Sequence, residues 1–422
     1  MPIWFPAWKN LYYACETAGG FPAGIRHSKI FLAGAVGLSD KQNDNGVRGE
    51  KEYHRQIASV KAAVNDFFVR NFTETHIDGP QLDPEELQKS PVMFVSTHRS
   101  HVDYFLAGIS FFKMGFKNLR FAAGDNLTKL PYVGPRFLAF GAFAVARDTG
   151  FERNYVRNLC AQVVKMLEGG DAVLVFPEGG RSYTGAMLDI KGGILNAALM
   201  TQAANPDKDV YLLPAAISYE CPPDVPFFPL LLKGKKLRKK PNNAIKRLLG
   251  DVYYFGADIM AFAPLMFKAT SRRRGAVYMD YGAPVSVKSL VDLEANRVKN
   301  ARDEFSAHRV SLDIVGERIR EMLTSIYRIL PIHIMSSVLK ASGGSVAMTA
   351  VDGEVEKMKA LAVSSGRNCK TIGNMSAPEI VKAGIDQLRA LKAVRVGNGK
   401  ITVLKENITN YFAETFNTGE NS

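Results

Sequence analysis

Val92-Met93-Phe94-Val95-Ser96-Thr97-His98-Arg99-Ser100-His101-Val102-Asp103-Tyr104 is the stretch whose reading decides the fold. Val92 to Ser96 is a short β-branched and apolar run that favours a buried strand, and Val102, Tyr104, Phe105 and Ile109 recur at the spacing of an amphipathic helix. Ser100 stands where the helix N-cap is expected. A strand, a short polar turn and a helix in succession form a unit of an α/β sheet, whose ligands sit beyond the carboxyl ends of the strands.

The polar turn carries the chemistry. Inside one regular helix a residue five positions on is rotated by about 140°, so His98 and Asp103 cannot face each other there. With His98 in the loop before the helix and Asp103 in its first turn, the carboxylate can reach back to the imidazole. Such a pair makes a general base: a neutral histidine, with a pKa of ~6.5, takes a proton while the carboxylate fixes its tautomer and stabilises the imidazolium. His101 is the weaker candidate, because the residue five positions after it is Leu106. Taken alone, such a spacing is far more often structural or accidental than catalytic, and its company elsewhere in the chain decides.

Working outward, short apolar runs alternate with helical patterns from about Pro91 to Val287, which predicts an α/β domain. The predicted strands are Val92 to Ser96, Leu119 to Ala122, Phe143 to Ala146, Ala172 to Phe176, Val210 to Ile217 and Ala276 to Tyr281. Before them, residues 1 to 37 mix aromatics with Gly and Pro, and Trp4 and Trp8 suit either an interfacial anchor or packing onto the main domain. Ser39 to Glu52 reads as a linker or exposed loop. Glu50 to Phe72 carries Tyr53, Ile57, Val60, Ala63, Val64, Phe67 and Phe68 on one helical face.

After about Lys288 helices dominate: Val315 to Leu330, Gly353 to Val363, and Pro378 to Leu391 capped by Ser376. Val394 to Val396 and Ile401 to Leu404, joined through Gly397-Asn398-Gly399, predict a hairpin, and a helix bearing Tyr411, Phe412 and Phe416 follows. Helices followed by such a wing have the form of a nucleic-acid module. The basic residues there are not gathered on a recognition helix, so no nucleic-acid partner is expected. The predicted division is 1–75, helical and membrane-facing; 76–290, catalytic; and 291–422, mainly helical with a hairpin.

With 422 residues, 46% hydrophobic and 23% charged, the chain can bury a large core and is not a disordered polymer. A net charge of +13 favours anionic partners, among them phosphorylated metabolites, acidic carrier proteins, nucleic acid and an anionic membrane face. Cys15, Cys160, Cys221 and Cys369 have no metal-ligand spacing, so a reduced compartment without disulfide or metal is expected. The first residues lack the pattern of a secretory signal, and no apolar run of ~18 residues predicts a membrane span.

Three further blocks accompany the His98 stretch. Phe176-Pro177-Glu178-Gly179-Gly180-Arg181-Ser182 follows a strand directly. Its glycines let the backbone approach a ligand with free N–H groups, and Arg181 can grip a phosphate with a bidentate fork. Gly141-Ala142-Phe143-Ala144-Val145-Ala146-Arg147 is an apolar strand ending in a cation, and Leu212-Leu213-Pro214-Ala215-Ala216-Ile217-Ser218-Tyr219-Glu220 is a mostly apolar run. In this order and spacing the four blocks resemble the glycerolipid acyltransferase superfamily, with its His-x-x-x-x-Asp motif. The wording around His98 and from Phe176 to Gly185 is similar to the glycerol-3-phosphate and dihydroxyacetone-phosphate acyltransferase branch. The similarity extends to Lys191-Gly192-Gly193-Ile194, to Ile217-Ser218-Tyr219-Glu220 and, loosely, to Asn410-Tyr411-Phe412-Ala413. Ala142, Ala144, Ala215 and Ala216 are smaller than that family's usual residues.

The resemblance implies a mixed sheet flanked by helices, with helical N- and C-terminal extensions, and a glycerol-3-phosphate 1-O-acyltransferase that forms lysophosphatidate. A dihydroxyacetone-phosphate or lysophosphatidate acyltransferase is the alternative within the family; a non-enzymatic lipid or nucleic-acid binder is the alternative outside it. It implies that His98 deprotonates the acceptor hydroxyl with Asp103 orienting it, without an acyl-enzyme. Arg147 and Arg181 hold the acceptor phosphate; Glu178, Gly179, Gly180 and Ser182 line the acceptor site; Pro214 shapes the wall near the thioester. No cofactor is implied beyond the acyl donor, either acyl-coenzyme A or acyl carrier protein. Lys233, Lys235, Lys236, Arg238, Lys239, Lys240, Lys246 and Arg247 follow an apolar run with no acid between them, and Phe255 to Phe267 precedes Arg272-Arg273-Arg274. Apolar surface beside such charge suits a dock on an anionic membrane, at about 1 kcal/mol per engaged cation. A peripheral place on the cytoplasmic face of a membrane is therefore expected.

Overall fold

The computed structural model describes residues 65–124, 141–145, 153–238 and 274–417, with isolated positions at 62, 138, 249, 250 and 253. Trp4, Trp8, Cys15, Arg147, the run from Phe255 to Phe267 and the half of the basic tract from Lys239 to Arg247 lie outside the described residues, as does most of the predicted helix Glu50 to Phe72. Its described end is helical over residues 65–71.

The main sheet is formed by β1 (Thr75–Asp78), β2 (Val92–Ser96), β3 (Leu119–Gly124), β4 (Ala142–Val145), β5 (Ala172–Val175), β6 (Tyr211–Tyr219), β7 (Val277–Tyr281) and β8 (Val285–Ser286). Their order is β1-β7-β6-β2-β5-β3-β4, with β8 also on β6. β6, β2, β5, β3 and β4 run parallel, whereas β7 and β8 pair antiparallel to β6. The sheet is thus mixed, as the family resemblance implied.

β2 lies at the centre, and all five of its residues are buried. Period-two alternation sends Val92 and Phe94 into one core and Met93 and Val95 into the other. On the first face the helix α1 (Asp103–Lys113) packs Leu106, Ile109 and Phe111. Phe94 meets Phe111 at 3.7 Å and Phe116 at 4.9 Å between ring centroids, and burial of each such side chain contributes about 1.5–3 kcal/mol. On the other face lie α2 (Arg153–Glu168) and α3 (Gly192–Ala204), against which a later helix also packs. The sequence does not reveal α3 as a helix, because it is apolar all round and begins with two glycines.

Pro214 sits inside β6, a place where a missing N–H normally breaks a ladder. It is tolerated because the antiparallel neighbour is interrupted there: β7 reaches only to the Ala215↔Tyr281 pair and β8 begins at Leu212↔Val285. Gly282 fills the gap, donating its N–H to the Pro214 carbonyl at 2.9 Å.

Beyond β6 come α4 (Phe228–Arg238), α5 (Arg309–Ile326), α6 (Pro331–Ala341), α7 (Val351–Ser364), α8 (Ala377–Ala390) and α9 (Glu406–Asn417). A small antiparallel sheet joins β9 (Ser345–Ala347), β10 (Val394–Gly397) and β11 (Lys400–Val403). α5 buries Val315, Ile319 and Leu323 against the main sheet, although it lies beyond residue 290. The predicted helix Val315 to Leu330 starts earlier and ends sooner: α5 runs from Arg309 to Ile326, Tyr327 is extended, and Pro331 opens α6. Nine of the eleven residues of α6 are buried. α8 begins where predicted, with Ser376 and Glu379 forming a capping box. The hairpin forms, with each strand reaching one residue further into the turn than read, to Gly397 and from Lys400, and the second ending at Val403. The C-terminal core is continuous with Cys221, Val225, Phe228 and Leu231, so this region packs against the carboxyl end of β6.

Candidate active site

β2 ends at Ser96 and α1 begins at Asp103, so the residues between form a six-residue loop at the carboxyl end of the central strand. The N-cap position is Val102, without a side-chain cap. Ser100 is not the cap expected from sequence: its hydroxyl donates to Asp224 Oδ1 at 2.9 Å. The Asp103 carboxylate takes over the neighbouring donors, accepting the Arg99 N–H at 2.6 Å and the Ser100 N–H at 2.8 Å. The first turn is therefore tied to its own loop by a charged acceptor, which holds better than a neutral hydroxyl.

Within this loop His98 Nδ1 lies 2.9 Å from Asp103 Oδ2. A carboxylate only accepts, so Nδ1 carries the proton and Nε2 presents its lone pair, onto which the Tyr104 hydroxyl donates at 3.2 Å. Phe176 stacks on the ring with centroids 4.3 Å apart. Burial lowers the His98 pKa below its ordinary value, against the opposing pull of Asp103, with the Arg181 charge adding to the depression. The result is a neutral imidazole with a fixed tautomer and an oriented, unprotonated nitrogen, the requirements of a general base near neutral pH.

Glu178 and Arg181 are both drawn into the protein beneath this pair. Arg99 Nη1 reaches both Glu178 oxygens at 3.1 Å, with the two side chains 1% and 0% exposed. Glu178 also accepts the His98 N–H at 3.1 Å and the Leu188 N–H at 2.8 Å. Burial opposes the Arg99 charge, but Glu178, Tyr327 and Tyr411 outweigh it and hold the guanidinium above its ordinary pKa. Arg181 Nη1 pairs with Asp224 at 2.5 Å, and Asp224 also accepts the His101 N–H at 3.0 Å. Two buried ion pairs thus frame the His98 loop from below.

The structure brings His98, Asp103, Glu178, Arg181 and Ser182 together; Ser182 donates its N–H to the His98 carbonyl at 3.2 Å and its hydroxyl to Ala186. Gly179 is exposed at φ +66°, where an added Cβ would meet Lys191 Cδ at 2.7 Å, and the space beside Gly180 is open. Pro214 is not brought to the pair. Leu213, Ala215 and Tyr219 share the face of β6 that looks toward α1, while Pro214 packs on Gly282 near Ile326. Arg147 lies outside the described residues. Among the described residues no group of three or more His, Cys, Asp or Glu side chains is placed to hold a metal.

Sequence reasoning missed Arg99, Asp224, Tyr219, Tyr104, Tyr327 and Tyr411. Arg99 and Tyr104 adjoin the motif, but nothing in their spacing shows which way they point. Asp224 sits after Pro222-Pro223, and Tyr219 stands at the end of an apolar strand whose alternation could have placed it on the α1 face. Tyr327 comes from a region with no sequence link to the loop, and Tyr411 is linked to it only through the loose family similarity of Asn410-Tyr411-Phe412-Ala413. The Arg99 guanidinium lies 5.5 Å from the Tyr327 ring centroid, and Thr415 of α9 donates to the Gly185 carbonyl at 3.2 Å.

Comparison with known proteins locates this site within a family. An acyltransferase family model matches residues 81–218, the segment that contains His98, Asp103, Glu178 and Arg181. Residues 81–218 belong to the acyltransferase family. The chain is 27% identical over 258 residues to a glycerol-3-phosphate acyltransferase of Hamiltonella defensa, covering 60% of this chain and 29% of that protein. A glycerol-3-phosphate acyltransferase of Actinobacillus pleuropneumoniae is 24% identical over 268 residues, 63% of this chain and 30% of its own length. One of Shewanella pealeana is 31% identical over 229 residues, 52% of this chain and 28% of its own. The matched part thus spans less than a third of these curated relatives. A crystal structure of the 1-acyl-sn-glycerophosphate acyltransferase PlsC from Thermotoga maritima aligns with a TM-score of 0.36 and 16% identity, over 70% of this chain and 88% of that one.

The matched acyltransferase segment ends before Tyr219, Asp224, Tyr327 and Tyr411. The acyltransferase motifs therefore complete their hydrogen-bonding and ion-pairing shell with residues from outside the match.

Proposed function

We propose that this protein is a glycerol-3-phosphate 1-O-acyltransferase that transfers a fatty acyl group from a thioester to glycerol 3-phosphate and forms lysophosphatidate. The observation that carries this reading is the buried His98–Asp103 pair, with Nδ1 committed to the carboxylate and Nε2 left as the base, at the carboxyl end of the central strand. The names of the curated relatives support the choice of acceptor.

In this mechanism the acceptor hydroxyl takes the place of the Tyr104 hydroxyl at His98 Nε2. As its oxygen bonds to the thioester carbonyl carbon, its proton passes to Nε2, and Asp103 stabilises the imidazolium. The tetrahedral intermediate collapses, the carbon–sulfur bond breaks, and the leaving thiolate takes the proton back. Because Arg181 is paired with Asp224, it contributes a neutralised cation–anion dipole near the acceptor, and Gly180, beside which the space is open, offers a backbone N–H toward a phosphate, the Gly179 N–H being given to the Phe176 carbonyl. The acyl donor is acyl-coenzyme A or acyl carrier protein.

The membrane surface is the proposed place of work. Lys233 and Lys236 are exposed on α4, beside the buried Phe228 and Leu231. No described helix is long and apolar enough to cross a membrane.

The test is a panel of acceptors (glycerol 3-phosphate, dihydroxyacetone phosphate, lysophosphatidate) against both donor classes, with purified protein in lipid or detergent. Glycerol 3-phosphate is expected to be acylated, with turnover lost at least 1,000-fold, an order-of-magnitude expectation for a lost base, in a folded His98→Ala variant. Wild type inactive with every pair, or His98→Ala as active as wild type, would sink the proposal.

A further inference from the structure

The Asp103 carboxylate is held from two sides of the molecule. Its Oδ2 takes three donors from its own loop, namely His98 Nδ1, the Arg99 N–H and the Ser100 N–H. Its Oδ1 takes one donor from far away in sequence: the Tyr219 hydroxyl, at 2.6 Å.

Tyr219 is the last residue of β6, registered opposite Val277 on β7. Alternation along β6 places its ring with Leu213, Ala215 and Ile217 on the α1 face. There it is 1% exposed and packs 5.9 Å from Phe72 between ring centroids. Burial first, then the nearby Asp103 charge, push the phenol pKa well above its ordinary value, so the hydroxyl remains a donor.

This geometry has a mechanical meaning. The terminal torsion of an aspartate is broad and nearly two-fold, so three donors on one oxygen leave the carboxylate plane free to rock about that oxygen. A fourth donor on the other oxygen, anchored in the sheet, fixes the plane and with it the direction of the His98 imidazole. We infer that Tyr219 is a positioning residue for the acyl transfer, acting on His98 through Asp103 and tying the alignment of the base to the end of strand β6.

This inference rests on the acyltransferase reading for its kinetic test, and on the imidazole itself for a second one. Other groups face His98: Arg99 and His101 from its loop, Asp103 and Tyr104 from α1, and Phe176, Glu178 and Arg181 from the segment after β5. None of them changes in Tyr219→Phe, which keeps the ring and removes one donor. Asp103 then pulls harder on the imidazolium, so the His98 pKa rises.

In the full chain, Tyr219→Phe is expected to lower kcat roughly 10- to 150-fold, the range for one hydrogen bond to a charged group. The acceptor KM should stay within about two-fold and the acidic limb of the kcat profile should move to higher pH. In the Asp103→Asn background the same substitution should change kcat less than about two-fold, because the path through Asp103 is already broken. The nitrogen-15 titration midpoint of His98, read by NMR, should rise in Tyr219→Phe whether or not an active substrate has been found. If the wild type were inactive on every donor and acceptor, the functional proposal would fail while this titration still decided the inference. Should Tyr219→Phe not fold, 3-fluorotyrosine at the same position strengthens the donor and must move the midpoint down. An unmoved midpoint, or a full additional loss in the Asp103→Asn background, overturns the assignment.

Discussion

Replacing Glu178 with glutamine keeps the shape of the side chain and removes its charge, and the structure dictates a large effect. Oε1 accepts from the His98 N–H and Arg99 Nη1, both at 3.1 Å; Oε2 accepts from the Leu188 N–H at 2.8 Å and Arg99 Nη1 at 3.1 Å. Every donor in this shell points at an oxygen, so either orientation of a glutamine amide sets its NH2 against a donor. Arg99, 1% exposed, is then left as a buried cation without its counter-ion. Breaking a buried pair by removing one partner costs about 3–5 kcal/mol. At roughly 2–4 °C per kcal/mol for a large domain, melting should fall by about 10 °C. Differential scanning calorimetry on Glu178→Gln measures this, with acceptor KM and kcat alongside. The His98 N–H loses an anchor as well, so kcat should fall more than KM rises. The double variant Arg99→Met, Glu178→Leu, which removes both charges, should recover most of the melting temperature but not the activity. If Glu178→Gln melted within 2 °C of wild type and only raised the acceptor KM, the carboxylate would be a ligand contact, and the structural account of it would be wrong.

Two other outcomes follow from the buried charges and the surface. His333 is fully enclosed at the start of α6, where its Nδ1 accepts the Leu330 N–H at 3.0 Å, and burial, then Arg367 and Arg99, push its pKa down to about 3. Since that lies below its unfolded value near 6.5, the stability it contributes is full above pH ~6.5 and is lost as pH falls toward 3, by about 5 kcal/mol at most. Urea midpoints between pH 7 and 4 should drop less steeply for His333→Gln; equal slopes would refute the assignment. For the membrane dock, Lys233→Glu with Lys236→Glu should reduce sedimentation with vesicles containing anionic phosphatidylserine, by about 1 kcal/mol or five-fold per engaged lysine, and leave neutral vesicles unaffected. Unchanged sedimentation would remove α4 from the dock.

The roles of individual residues show how much was legible. The strand, loop and helix around His98 were readable because β2 is buried on both faces and so is uniformly apolar, while the apolar residues of α1 recur at helical spacing even though eight of its eleven residues are buried. The spacing of His98 and Asp103 was readable because only a loop-to-helix step lets them meet. α3 was not readable, since its apolar residues are spread all round the helix and leave no periodicity. Glu178 and Arg181 were legible as charged residues beside a turn. Their partners were not: Arg99 lies 79 residues from Glu178, and Asp224 lies 43 residues from Arg181. A strand face such as that of Pro214 depended on register, which the chain fixes only when neighbours pair.

By itself the sequence determined that a strand delivers a histidine and a helix turn delivers a carboxylate, because local hydrophobic periodicity and short-range geometry are properties of the chain alone. Only the tertiary structure decided what surrounds them: that Asp103 takes the Tyr219 hydroxyl, that Arg99 neutralises Glu178, and that Asp224 claims Arg181. A charged group taken out of water must find a counter-ion wherever folding brings one, and that choice is made by packing across the sheet rather than by spacing along the chain.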